Sequence, residues 1–351
     1  MPDRPRVAIL AEGQLARQTA KTAIGVIRYA PYPVVAVIDS THAGTDAAAA
    51  IGVGAGIPVV ASVGEAIDRG ARVVLIGTAA PGGRIPDAFR SALGDALRRG
   101  LDVWNGLHER VLDDPTLQAA AVAGGGHVRE LREPPADLPI GGHRARRGGS
   151  HVVLTVGSDA AVGKMTVALE LVRALDRAGK RAAFVATGQT GIAIAGEGIS
   201  VDAVVADFIA GAAERMVCDA AESADWVVVE GQGSLTHPGF SGVTLGLLHG
   251  SAPDVLVLCH DAARTDVKGF PGLPLRSLRE LVPLYEGAAT WSRAAGARVR
   301  VAGVALNTSA LDDPAAARAI RDAATETGLP VADPVREGVA GADRLAAAVL
   351  R

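Results

Sequence analysis

The residues best suited to chemistry lie in one stretch, Gly157-Ser-Asp-Ala-Ala-Val-Gly163-Lys164-Met165-Thr166. Glycines let successive backbone N–H groups turn inward, and a helix start adds partial positive charge, so such a bend suits a chain of phosphates. Lys164 adds a mobile full charge. Gly157, Ser158, Asp159, Ala160, Ala161, Val162, Gly163, Lys164, Met165 and Thr166 are therefore the expected phosphate contacts. Two features depart from the common pattern. Five residues separate Gly157 from Gly163, against the usual four, and Met165 stands where a Ser or Thr hydroxyl normally holds Mg²⁺. A thioether is a poor ligand for a hard cation, and Thr166 comes one position late. A polyphosphate cradle follows more directly than a Mg-nucleotide site.

The cradle needs a rigid mount. Residues 152–156 form a β-branched apolar run expected as a buried parallel strand, and Val167, Leu171 and Leu175 repeat along one face of a helix. Further strands are expected over 182–186, 226–229, 255–258, 298–306 and 330–332, with a helical stretch over 202–217. The strands end in Thr187-Gly-Gln-Thr-Gly191, Glu230-Gly-Gln232-Gly233-Ser234, Cys259-His260-Asp261 and Asn307-Thr308. In a parallel sheet these loops share the carboxyl edge, where open α/β sheets bind ligands.

That convergence supplies the remaining candidates. Glu230 closes an apolar strand as the second metal-binding acid of phosphate-loop enzymes does, so Asp159 and Glu230 are the ligands expected if a divalent ion binds. Gly188 and Gln189 join the cofactor contacts, and the Asn307 amide suits a base edge. His237 and His260 are candidate proton carriers, with Lys164 and Glu230 also in the catalytic set. Gln232, Arg264 and Lys268 are candidates for holding a substrate, the two cations by its carboxylate. Each has a plainer alternative: turn braces for Asp159, Glu230 and Asn307, core packing for the histidines, solvation for Arg264 and Lys268.

At 351 residues the chain is expected to form two domains. A net charge of -3 gives no basic footprint for nucleic acid, and no apolar segment approaches the roughly 18 residues a membrane span needs. Lysine is scarce, at positions 21, 164, 180 and 268 only, and the two cysteines, Cys218 and Cys259, have no metal-type spacing. No signal peptide opens the chain, so a cytoplasmic protein is expected, and its Ala-rich composition with many short helices suits self-association. In the first half, strands over 6–10, 34–38, 58–61, 73–76 and 101–104, with a helix over 86–99, predict a Rossmann-like parallel sheet. Asp39 sits where such folds often place a ribose-binding acid, although the turn at Gly13 lacks the three-glycine fingerprint. The expected layout is a Rossmann-like domain over 1–132, a Pro/Gly-punctuated linker over 133–150 with the basic run 143–147, and a P-loop NTPase-like α/β domain over 151–351.

Two resemblances follow. The loop 157–164, Val229-Glu230-Gly-Gln-Gly233 and Gly303-Val-Ala-Leu-Asn307 are similar to dethiobiotin synthetase and its relatives, ATP-dependent ligases whose equivalent positions bind phosphates, Mg²⁺ and adenine. The whole chain resembles a bacterial two-domain family, long a domain of unknown function, named for D-glutamate N-acetyltransferase (DgcN-like). The match rests on Gly163-Lys-Met-Thr166, Thr187–Gly191, Glu230–Gly233, His237-Pro-Gly-Phe-Ser-Gly-Val-Thr-Leu245, Leu248-His-Gly-Ser-Ala-Pro-Asp254 and Leu258-Cys-His260. That resemblance implies transfer of an acyl group from acetyl-CoA to the amino group of an acidic amino acid; the expected function is N-acylation of a small amino acid, with the CoA phosphates on the loop. The alternatives are an ATP-dependent carboxylate–amine ligase working through an acyl phosphate, with Mg²⁺, and a nucleotide-dependent switch or partner-binding ATPase.

Overall fold

The computed structural model describes residues 4–16, 18–79, 81–144 and 149–351. Ala145, Arg146, Arg147 and Gly148 of the basic, glycine-rich stretch lie outside the described residues. The chain divides into two compact units, Met1–Glu133 with Ile192–Glu197, and Pro134–Gly191 with Gly198–Arg351.

The first unit runs β1 (Val7–Leu10), α1 (Lys21–Tyr29), β2 (Val34–Ile38), α2 (Ala47–Ile51), β3 (Val59–Val60), α3 (Val63–Asp68), β4 (Val73–Ile76), α4 (Asp87–Arg98), β5 (Asp102–Asn105), α5 (Pro115–Gly124) and β6 (Val128–Glu130). Its parallel sheet has the order β3-β2-β1-β4-β5-β6, the Rossmann arrangement. Asp39 is fully buried, and its carboxylate accepts hydrogen bonds from Gly13 N, Leu15 N and Thr41 N and Oγ1. It therefore braces the turn after β1 instead of standing free for a ribose. These bonds hold its pKa below the ordinary carboxylate value against the opposing effect of burial.

The second unit runs β7 (His151–Gly157), α6 (Lys164–Arg177), β8 (Ala182–Val185), the start of α7 (Gln189–Ala195, whose residues from Ile192 on count with the first unit), α8 (Ile209–Ala221), β9 (Trp226–Val229), α9 (Ser241–Ser251), β10 (Val255–Asp261), α10 (Leu278–Ala288), β11 (Arg300–Asn307), α11 (Asp313–Thr327), β12 (Val331–Ala332) and α12 (Val339–Val349). All its strands are parallel, in the order β12-β11-β10-β7-β9-β8, so β7 is central between β10 and β9. Alternation along β7 shows why the run is apolar throughout. Val152, Leu154 and Val156 enter the core shared with α8, α9 and α10, while Val153 enters the one shared with α6 and α12. Val167, Leu171 and Leu175 of α6 pack into that second core. Burying each such side chain contributes about 1.5–3 kcal/mol.

Two boundaries differ from the sequence reading. Residues 201–208 form two 3₁₀ turns, Val201–Ala203 and Ala206–Phe208, before α8 begins. The β-branched Val201, Val204 and Val205 weaken helix propensity there. The stretch after β8 is also shorter than a five-residue loop, because α7 starts at Gln189. Among the described residues no helix is long and apolar enough to cross a membrane.

Candidate functional site

Gly157 closes β7, and Gly163, at φ 102°, leads into α6 at Lys164. Ala161 holds φ 55°, a left-handed conformation uncommon for a residue with a Cβ. Such strain concentrates at functional sites, and here it produces the reversal that delivers the chain to the helix start. The first N–H groups of α6 have no intrahelical acceptors, which makes this end anion-seeking.

Lys164 is 6 % exposed, and its Nζ donates to the carbonyl oxygens of Asp159 (2.8 Å) and Gly233 (2.7 Å). Among the described residues no acidic side chain forms an ion pair with it. Burial lowers its pKa from 10.5 to about 8. The wall behind it is tight. A methyl group at Gly231 would overlap the carbonyl oxygen of Thr155, whose hydroxyl accepts from Gly231 N at 3.0 Å. β7 and the segment after β9 are thereby joined directly beside the lysine.

Asp159 is fully buried and already engaged. Oδ1 accepts from Ala160 N (2.7 Å), and Oδ2 accepts from Arg264 Nη1 (2.9 Å) and Lys268 N (2.8 Å). Arg264 also donates to the carbonyl of Ala160 at 2.6 Å and pairs with Asp261. A divalent ion at Asp159 would have to displace this guanidinium, and Met165 offers no hydroxyl. Among the described residues no group of three or more His, Cys, Asp or Glu is arranged to hold a metal. Arg264 consequently braces the bend.

Glu230 is 5 % exposed, and its Oε2 accepts from Thr187 N (3.1 Å) and Gly188 N (3.2 Å). A methyl at Gly188 would strike Gln232 Nε2, and one at Gly191 would strike Glu230 Oε2, so these two side chains lie against the turn that opens α7. Gly188, Gln189, Glu230 and Gln232 are thus brought together. At the end of β10, His260 Nδ1 lies 2.8 Å from Ser158 Oγ, and burial lowers its pKa below the ordinary 6.5. His237 is placed differently. Its Nδ1 accepts from Gly239 N (3.0 Å), which puts the proton on Nε2, and Nε2 donates to the Lys268 carbonyl (3.2 Å). With both nitrogens hydrogen-bonded to backbone, His237 braces the segment around Lys268. Asn307 ends β11 with its Oδ1 accepting from Ser309 N at 3.1 Å, an Asx turn.

Residue-type reasoning missed two braces. Thr155 is one. Tyr285 on α10 is the other: it is fully buried, donates to the Gly157 carbonyl (2.6 Å) and accepts from Leu235 N (3.1 Å). No local signal marks a tyrosine 128 positions away from the glycine it holds. A separate cavity of about 460 Å³, lined in part by Glu214, Cys218, His249 and Arg293, includes none of the loop residues. It lies beside the segments that lead into β10 and β11, at the amino edge of the sheet.

Residues 139–345 match the P-loop domain of the DUF1611 family of unknown function, and 40–134 match that family's Rossmann-like N-terminal domain. The chain belongs to this family. A crystal structure of a DUF1611 family protein from Anabaena variabilis is 42 % identical, with a TM-score of 0.91 and 99 % of each chain covered. The chain is 39 % identical over 274 residues to a D-glutamate N-acetyltransferase of Tritonibacter scottomollicae, covering 78 % of this chain and 80 % of that one. It is 36 % identical over 278 residues to one of a Pseudoalteromonas species, with coverages of 79 % and 82 %. The family match makes the bend after β7 a P-loop and the first unit a Rossmann-like domain, as the residues and the strand orders also do.

Proposed function

We propose that this protein is an N-acyltransferase that moves an acetyl group from acetyl-CoA to the amino group of a small acidic amino acid, with the CoA phosphates on the P-loop. The observation that carries the reading is Lys164: a buried ammonium bonded, among the described residues, to two carbonyl oxygens, at an anion-seeking helix start. A buried ammonium is costly even with the charges of Asp159 and Glu230 nearby, and a phosphate in direct contact offsets that cost. Acetyl-CoA brings phosphates and an activated acyl group, and needs none of the metal ligation that Asp159 and Met165 fail to offer. The names of the two curated relatives supply the reaction class and the acceptor class.

In this reading Lys164 and the first amides of α6 hold the phosphates, and Asn307 meets the base. His260, kept neutral by burial, takes the proton that the attacking amine must lose. The C–N bond forms, the thioester C–S bond breaks, and the proton passes on to the departing thiolate. Gln232 and Lys268 face the acceptor.

The test is an incubation with acetyl-CoA and D- or L-glutamate, with and without Mg-ATP. N-acetylglutamate formed without ATP is the expected product. ADP release that depends on the amine would instead identify a ligase, and slow ATP hydrolysis without an acceptor a nucleotide switch.

A further inference from the structure

We propose that Phe240, Phe270 and Leu273 form the surface on which the pantetheine arm of the acyl-CoA substrate lies, an inference that rests on the acyl-CoA reading above. Aromatic residues are few in this chain: five Phe, three Trp and three Tyr. Two of the five phenylalanines are nonetheless exposed, Phe240 at 49 % and Phe270 at 40 %, with Leu273 close to the latter in sequence at 41 %. Both rings pack on one buried side chain. Phe240 stacks on His237 with ring centroids 4.3 Å apart, and Phe270 meets it edge-on at 5.5 Å.

This rim is mounted on the P-loop from two sides. The Lys268 carbonyl accepts from His237 Nε2, and Lys268 N donates to Asp159 in the bend. Gly233, at φ 65°, lies so close to the Phe240 backbone that a methyl there would strike the Phe240 carbonyl oxygen, and the Gly233 carbonyl itself accepts from Lys164 Nζ. The apolar surface therefore begins one residue away from the ammonium that would hold a phosphate. Exposed apolar groups fixed beside an anion cradle suit a ligand that is charged at one end and apolar along the next segment.

Direction follows from the sheet order. β11, which ends in Asn307, lies beyond β10 on one side of β7, and β9, which leads to Phe240, lies on the other, with Phe270 and Leu273 in the segment after β10. With the base toward Asn307 and the phosphates on the loop, the chain beyond the pyrophosphate runs toward the rim. In CoA that chain is the pantetheine arm, whose gem-dimethyl and methylene groups would cover the two rings. His237 then holds both phenylalanines at the loop, and its nitrogens are satisfied by backbone so that the rim stays apolar.

The experiment is calorimetric titration of the full chain and its Phe240→Ala, Phe270→Ala, Phe240→Leu and Phe270→Leu variants. Each is titrated with CoA and with 3′-phospho-ADP, which keeps the base and phosphates but lacks the arm. Each alanine variant is expected to bind CoA about tenfold more weakly, with 3′-phospho-ADP changed by less than about twofold, and each leucine variant to recover most of the loss. Equal losses for both ligands would mean that the rim holds the base, and would overturn the proposal. So would unchanged CoA affinity in the variants. A wild-type chain that binds no CoA would bring down the acyl-CoA reading and the arm with it, whereas wild-type CoA binding with insensitive variants removes the arm alone.

Discussion

Replacing Arg264 by Ala distinguishes a brace of the P-loop from a substrate clamp. Asp159 is 0 % exposed and Arg264 21 %, with 2.9 Å between Nη1 and Oδ2. Removing one partner of a buried pair costs about 3–5 kcal/mol, because the other charge is left uncompensated. Partial exposure of Arg264 and the surviving bonds from Ala160 N and Lys268 N reduce this to about 2–3 kcal/mol. In a unit of this size each kcal/mol moves Tm by about 2–4 °C, so scanning calorimetry should show its transition lowered by about 4–12 °C. Adding Asp159→Asn should recover part of the loss, with a coupling of about 1–3 kcal/mol in the double-mutant cycle. A full Tm in Arg264→Ala, combined with a raised KM for the acidic acceptor alone, would refute the bracing argument and restore Arg264 as a carboxylate clamp.

Other outcomes follow from the same geometry. Lys164→Ala should cut kcat/KM by at least about 100-fold while the chain stays folded, measured by steady-state kinetics alongside circular dichroism; near-parental turnover would move the active centre elsewhere. The Lys164 pKa of about 8 lies below its unfolded value of 10.5, so its folding penalty is full below about pH 8 and fades as pH rises between those values. Affinity for CoA runs the other way, falling by up to about tenfold per pH unit above 8 as the ammonium is lost, and titrations from pH 7 to 10 would show it. His260→Gln should lower kcat by about 10²–10⁴-fold, and the acid limb of the wild-type pH profile should lie below 6.5 and disappear in the variant. Gly231→Ala places a methyl on the Thr155 carbonyl and should destabilise the second unit by more than about 3 kcal/mol in urea titration.

Much of the site was legible because it is local. A β-branched run, a glycine-framed bend, Gly-Lys and an amphipathic helix fall within 152–175, and short-range backbone physics turns that order into a strand, a P-loop and α6. Strand ends carrying Glu230, His260 and Asn307 were readable for the same reason, since a parallel sheet places every carboxyl end on one edge. The partners chosen by each polar group were not readable. Asp159 with Arg264, Ser158 with His260, Gly157 with Tyr285 and Glu230 with the Thr187 amide are contacts across 43 to 128 positions. Residue type set each group's capacity to bond, but burial decided which partner had to satisfy it. That is why Asp159 braces the bend through Arg264 and the Lys268 amide, and His237 packs between two phenylalanines.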